Sequence, residues 1–319
     1  MKPVTTTAGI MQQVMLALVP GTLVLAWYFG IGILVNLVAA GLTAVLAEAL
    51  CLKARGLPLQ RLRDMSALLA GLLLGLCLPP LLPLWMVVVG TAFALVVGKH
   101  LYGGLGQNPF NPAMVGYALL VVSFPLAMSL WPGPNSHLPP GDLVGYKLGF
   151  SLADGVAMAT PLDAFRFRDG ITVEEFWRAS PVMAEFAGIG WQWVNLAFLA
   201  GGLYLVYRRV CDWIMPLTLL GTLAVLALLF YDSGSSSSLG SPLFHLLSGS
   251  TMLAAFFIVT DPVTSPDSRR GKMVFAAGVA ALIFLIRSHG AYPDGIAFAV
   301  LLMNTLTPLI DQTRWRLPT

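Results

Sequence analysis

Charge is what this sequence has least of: 10% of its 319 residues are Asp, Glu, Lys or Arg, against 57% hydrophobic ones. That balance, with a mean hydropathy of +0.80, lies outside the range of soluble globular chains and leaves no stretch polar enough for a large water-soluble domain. Cysteine is nearly as scarce. Cys51, Cys77 and Cys211 stand far apart with no C-x-x-C, which excludes a zinc or iron–sulfur centre held by this chain alone and leaves them as small apolar fillers. The four histidines, His100, His137, His245 and His289, show no i,i+4 pairing, so no metal ligand set is expected. No catalytic triad is expected either. The glycine-rich turn at 103–106 lacks a following Lys-Ser/Thr, so neither nucleotide-binding fingerprint applies. A net charge of +3 is explained by where the basic residues fall, and nucleic acid is excluded as a partner.

Long apolar runs fill the rest. Each bilayer crossing takes roughly 20 apolar residues, and the runs define ten helices near 13–30, 31–52, 66–78, 82–98, 112–131, 191–207, 213–231, 242–259, 273–286 and 295–310. Pro20 and Gly21 interrupt the first run and no small-x-small cleavage site follows, so it reads as a retained helix rather than a signal peptide. The loops on one side collect Lys2, Lys53, Arg55, Arg61, Arg63, Lys99, Arg208, Arg209, Arg269, Arg270, Lys272, Arg314 and Arg316, thirteen of eighteen Lys and Arg residues. The positive-inside rule makes that side cytoplasmic. Both termini are then cytoplasmic, and the loop 132–190, rich in Asp and Glu, faces the periplasm of a bacterial inner-membrane protein. The Ser run at 233–238 reads as a flexible external loop.

Five helices before the long loop and five after it enter the membrane with opposite orientation, which predicts an all-α polytopic membrane protein built as two inverted five-helix repeats, 1–131 and 191–319. The pairs LCLPPLLP (76–83) with VTDPVTSP (259–266), and GQNPFNPAMVGYALL (106–120) with GAYPDGIAFAVLLMN (290–304), support the repeat. In each, a helix breaks at Pro or Gly and restarts. Unpaired backbone at membrane depth needs a protein-lined or polar cavity, so the breaks mark candidate sites. Ionisable residues at that depth are candidates by default. Glu48 lies within the second helix, close enough to Lys53 or Arg55 to snorkel towards them. Asp261, beside Thr260 and Thr264, could coordinate Na⁺ or relay H⁺. Trp131, Trp191, Trp193 and Trp213 fall near helix ends and read as an interfacial belt.

The segment SLADGVAMATPLD (151–163) is the most informative. A Thr before a Pro is held extended with its hydroxyl free to project. This segment, with GGLGQNPFNPA (103–113), FFIVTDPVTSP (256–266) and AYPDGIAFAVLLMN (291–304), resembles the D subunit of Rnf (Rsx) electron-transport complexes, relatives of the B subunit of sodium-translocating NADH:quinone reductases. The resemblance covers nearly the whole chain. It implies that a periplasmic flavin transferase joins FMN phosphate to Thr160, the last residue of a signal beginning at Asp154 and flanked by Ala159, Pro161 and Leu162. Ala157 and Met158 depart from the usual signal. It further implies a noncovalent riboflavin near the cytoplasmic side, where Asn108 and Asn111 either present amide groups to a ring edge or cap a helix. The implied activity is electron flow between reduced ferredoxin and NAD, coupled to Na⁺ or H⁺ movement in a complex with other Rnf subunits. The B-type subunit is the runner-up, disfavoured because the first helix starts almost at once. A urea- or ammonium-channel-like transporter is the alternative from another class. The Asp-Gly-x-x-Ala-Arg signature of CDP-alcohol phospholipid synthases fails at Met158 and Ala159.

Overall fold

The computed structural model describes residues 6–136, 138–150, 156–168, 170–290, 292 and 294–312. Helix α1 (Thr7–Phe29) opens on the Thr6 side chain, which accepts a hydrogen bond from the Gly9 amide, and runs unbroken through Pro20. Helix α2 (Gly32–Ala54) returns antiparallel to it. Both are long and apolar enough to span a bilayer, as is α14 (Arg269–His289). Helix α3 (Ser66–Cys77) stops after twelve residues, about 18 Å at the α-helical rise, and the chain turns through 78–83. The short 66–78 run thus forms a helix too short to cross a bilayer of about 30 Å.

Helix α4 (Leu84–Leu95) continues as a π turn at Val96–His100. Helix α5 (Pro112–Ser123) ends sooner than the 112–131 run suggests, because Phe124 precedes Pro125 and is forced out of the helical region, to φ −135°. Short α6 (Pro125–Ser129) follows. The segment between the halves folds into α7 (Pro140–Leu148), α8 (Pro161–Arg166) and α9 (Val173–Ala179), with a two-stranded antiparallel ribbon, β1 (Trp131–Pro132) and β2 (Ala157–Met158). Then come α10 (Trp191–Tyr207), α11 (Ile214–Leu229), α12 (Pro242–Leu247), α13 (Thr251–Leu253) with a π turn at Ala254–Ile258, α14, and α15 (Ile296–Gln312). The expected 242–259 helix is thus broken at Ser248–Ser250 as well as at its end.

Helix α2 packs on α3 and α4, and α4 on α5. In the second half α11 packs on α12 and α14, and α14 on α15. The halves meet through α1 with α10 and through α5 with α15. Glycine makes the first of these junctions possible. A Cβ on Gly21 would lie 2.3 Å from the Phe198 ring, and one on Gly201 would lie 2.0 Å from the Ala17 carbonyl oxygen. The outward faces of α1 and α2 expose Leu16, Leu23, Trp27, Val38, Leu42, Leu46 and Leu50. Exposed apolar side chains in this number suit lipid or another protein subunit rather than water.

A second, smaller core lies under the inter-half segment, where Leu162, Phe165 and Phe176 pack on Phe244 and Leu247 of α12. The Ser run, expected to be flexible, forms an ordered turn: the Ser235 and Ser237 hydroxyls donate to Asp232 at 2.5 and 2.6 Å. Arg168 reaches across to the Ser236 carbonyl at 3.1 Å and also donates to that of Ser238.

Candidate functional site

Two cavities lie at opposite ends of the junction between the halves. The first sits at the end that carries 132–190. Its wall includes Thr160, Pro161 and Leu162 from α8, Cys77 from the end of α3, Met114 and Tyr117 from α5, Trp131 and Trp191, and Gly249, Ser250 and Asp294 from the breaks in the second half. It encloses about 50 Å³ and widens to about 590 Å³ with its open mouth. Thr160 and the two residues after it are therefore brought to one cavity. Ala159 is exposed and lies off its wall, and Asp154 lies outside the described residues.

Thr160 is the N-cap of α8, extended at φ −66° and ψ 154°, with Pro161 at the first helical position, where a missing N–H costs nothing. Its hydroxyl accepts from the Asp163 amide at 3.3 Å and donates to Asp163 Oδ2 at 2.7 Å. Burial pushes the Asp163 carboxyl above the usual carboxylate range, opposed by that same hydrogen bond from Thr160. Pairing of Met158 with Trp131 ties the segment just before Thr160 to the aromatic wall. Trp131 and Trp191 lie 5.0 Å apart between centroids, and Phe29 packs against both. These two tryptophans, expected in an interfacial belt, line this cavity and Trp213 lines a second one, while Trp193 is half exposed.

Sequence reasoning missed the polar wall of this cavity. Arg287 is buried and grips Asp294 through Nε at 3.1 Å and Nη2 at 3.2 Å, and donates to the His245 carbonyl at 3.0 Å. Asp294 in turn accepts from the Ser250 amide at 3.2 Å. Asp294 lies within the fourth long string, and its partner Arg287 stands seven residues earlier, near the end of α14.

The second cavity, about 710 Å³, opens at the end rich in Lys and Arg, lined by Ser66, Leu69 and Leu73 of α3, Lys99, Asn108, Asn111, Phe256, Phe257, Thr260 and Asp261. The two asparagines have separate roles. Asn111 is committed to structure: its Oδ1 caps α5 by accepting from the Met114 amide, its backbone amide donates to Asn304, and its Nδ2 faces Asp261 Oδ2 at 3.4 Å. Asn108 is buried, donates to the Phe110 carbonyl, and has no partner for Oδ1 among the described residues. A buried acceptor without a donor is costly, which makes it a point where a ligand's N–H or O–H would be held. Asp261 accepts from the Val263 amide at 3.0 Å and the Thr264 hydroxyl at 3.3 Å. Thr260 does not join them, because its hydroxyl bonds back to the Phe256 carbonyl at 2.8 Å.

Glu48 does not pair with Lys53 or Arg55. It holds Lys99 Nζ through both oxygens at 2.9 and 2.8 Å, and His100 Nε2 at 2.8 Å. Lys99 also donates to Ser66 Oγ at 2.9 Å. Lys99 and His100 end the π turn at 96–100, whose wider winding lets two consecutive residues meet one carboxylate. The other π turn carries Phe256 and Phe257 into the same cavity. Such turns recur at functional sites. Among the described residues there is no cluster of three or more metal-ligating side chains.

A sequence profile described as the NQR2, RnfD, RnfE family matches residues 1–317. The chain is similar to a protein of Ectopseudomonas mendocina named as the D subunit of an ion-translocating oxidoreductase complex, with 52% identity over 307 residues that cover 96% of this chain and 89% of that one. Proteins of the same name from Cellvibrio japonicus and Escherichia coli are 49% and 48% identical, covering 96% of this chain and 88% and 92% of theirs.

Proposed function

The chain belongs to the NQR2, RnfD, RnfE family, and from that premise we propose that it is the membrane-embedded electron-carrying subunit of an Rnf-type ion-translocating oxidoreductase complex, bearing FMN esterified to Thr160 and a noncovalent riboflavin in the larger cavity. Near-full-length identity of about half to proteins named as the D subunit of such a complex carries the reading. Its partners are the other subunits of the complex, a flavin transferase acting on Thr160, and the bilayer.

The residues present suit both flavin positions. The Thr160 hydroxyl lies at the cavity rim beside an aromatic wall, which suits a tethered ring system, although only the open mouth is large enough to take one. The larger cavity is roomy enough for a three-ring heterocycle and offers the unpaired Asn108 Oδ1 as an acceptor for a ring N–H or ribityl hydroxyl. Bound flavins would supply the electron chemistry, and the protein's part is to bind, orient and tune them. The linings of the cavities approach closely: Leu73 belongs to one and Cys77 to the other, Ala113 to one and Met114 to the other, about one helical turn or less apart.

The matching helix contacts of the two halves, and the meeting of α1 with α10 and α5 with α15, support two inverted repeats, 1–131 and 191–319, joined by the segment 132–190. The charge asymmetry supports cytoplasmic termini and a periplasmic Thr160 in an inner membrane. Of the two ion-path candidates, Asp261 meets only neutral donors among the described residues and is the better cation ligand, whereas Glu48 is saturated by Lys99 and His100.

The test is in-gel flavin fluorescence of denatured protein coexpressed with a competent flavin transferase. Wild-type protein is expected to fluoresce and Thr160→Val to be dark; a dark wild type removes the FMN assignment, and a fluorescent Thr160→Val moves the acceptor elsewhere.

A further inference from the structure

We propose that Asp294 binds and orients the ring system of the flavin carried by Thr160, with Arg287 as its positioning residue; both roles rest on the proposed attachment at Thr160. The smaller cavity is apolar over most of its wall, with Met114, Met128, Trp131, Leu162, Trp191 and Ile296. Asp294 is the one carboxylate among its described lining residues. Arg287 stands behind it. The Arg287 side chain is 1% exposed, against 16% for that of Asp294, so the charge turned to the cavity is the carboxylate and not the guanidinium.

The carboxylate is fixed in place but not fully used. Arg287 Nε donates to Oδ1 at 3.1 Å, while Oδ2 accepts from Nη2 and from the Ser250 amide, both at 3.2 Å. Each carboxylate oxygen offers about two acceptor positions, so Oδ1 keeps one free among the described residues. Gly249 holds the pair from the other side. Its φ is +57°, and a Cβ there would lie 2.5 Å from Asp294 Oδ2 and 2.9 Å from Arg287 Nη2. The same point would lie 3.0 Å from Leu162 Cδ1, which sets the pair beside the segment that carries the Thr160 hydroxyl.

An oxidised isoalloxazine ring carries a single N–H, set between two carbonyls, and a fixed carboxylate oxygen with a free lone pair is the acceptor that such a donor requires. The charge of Asp294 also opposes electron uptake, because reduction adds negative charge to the ring, and Arg287 offsets part of that opposition. A clamp alone would not need this arrangement. Arg287 already ties α14 to the break after α12 through the His245 carbonyl at 3.0 Å and the Ser248 carbonyl at 3.5 Å. A carboxylate present only to neutralise Arg287 has no reason to form part of a cavity wall.

The test is a redox titration of the full chain, coexpressed with a competent flavin transferase and purified in detergent, with mediator dyes and flavin absorbance as the readout. Thr160→Val protein, expected to keep only noncovalent flavin, supplies the spectrum to subtract. Asp294→Asn keeps the shape and an acceptor for Arg287 but loses the charge, and is expected to raise the midpoint potential of the covalent flavin. Arg287→Gln leaves the carboxylate unbalanced and is expected to lower it. Each shift should change the ratio of reduced to oxidised flavin, at a fixed applied potential, by about tenfold or more. A purely structural pair would lower the unfolding temperature of both variants and give no shifts of opposite sign. With covalent flavin present by in-gel fluorescence, an unchanged potential in Asp294→Asn, or shifts of the same sign in both variants, would overturn the role of Asp294 and leave attachment at Thr160 standing. A wild-type protein without covalent flavin would remove the attachment and this role with it. If Arg287→Gln does not fold, Asp294→Asn decides by itself.

Discussion

Thr160 has a local role beside the chemical one proposed for it. Its hydroxyl caps α8 by accepting from the Asp163 amide and donates to the Asp163 carboxylate, so the proposed esterification would remove that donated hydrogen bond and set a phosphoryl group beside a carboxylate. Asp163→Asn is therefore expected to alter the yield of covalent flavin while leaving the cavity wall in place, read by the same in-gel fluorescence. The asparagines separate in the same way. Asn111→Ala removes an N-cap and should lower stability by about 1 kcal/mol, seen as a lower unfolding temperature in detergent, whereas Asn108→Leu should reduce the riboflavin recovered by acid extraction with little effect on that temperature. Asp261→Asn is expected to block ion pumping in vesicles while electron transfer continues; undiminished pumping would take Asp261 out of the path. Most of these residues stand out in the sequence. Their division of labour does not, since whether an Asn caps a helix or faces a cavity depends on backbone several residues away.

At the scale of elements, α7 is the unusual one. It sends Lys147 inward, buried, to donate to Asn36 Oδ1 and to the Leu82 carbonyl at 3.1 Å, against the break after α3; Asn36 in turn holds the Pro79 carbonyl at 2.9 Å. No carboxylate meets the amine among these contacts, and burial pushes its pKa from an ordinary 10.5 down to about 7. The packed state thus holds fewer protons than the free one between these values, so packing of α7 strengthens as pH rises from about 7 towards 10.5 and carries its full penalty below about 7. Limited proteolysis of the 132–150 region in intact vesicles should speed up from about pH 8.5 to pH 6, and Lys147→Gln should flatten that dependence. The glycine junction makes a second element-level prediction: Gly21→Leu should force α1 from α10 and lower the yield of folded protein, because the ring of Phe198 already fills the space.

At the scale of the whole molecule, the topology proposed from the charge asymmetry is one that labelling can check. A single cysteine at Gly149 should react with a membrane-impermeant maleimide added outside intact cells, and one at Gly56 only after permeabilisation. The same label at both from one side would invert or break the proposed arrangement, and with it the proposed periplasmic position of Thr160.

Hydropathy alone determined the membrane class and most helix positions: α10 runs Trp191–Tyr207 and α3 Ser66–Cys77, against expected 191–207 and 66–78. Lipid offers no partner to the backbone, so each apolar run must close its own hydrogen bonds, and a run of side chains becomes a helix with little help from its neighbours. The sequence also singles out Thr160, through the family resemblance of its segment, as the proposed acceptor. What only the tertiary structure decided is which distant groups meet. Sequence proximity sets Glu48 beside Lys53 and Arg55, yet it binds Lys99 and His100 from another helix. Arg287 binds Asp294 seven residues on, and three tryptophans placed by their helix-end positions in a belt, Trp131, Trp191 and Trp213, line cavities. Those pairings depend on how each helix is rotated and where it crosses the next, which is settled by packing over the whole fold rather than by any stretch of sequence.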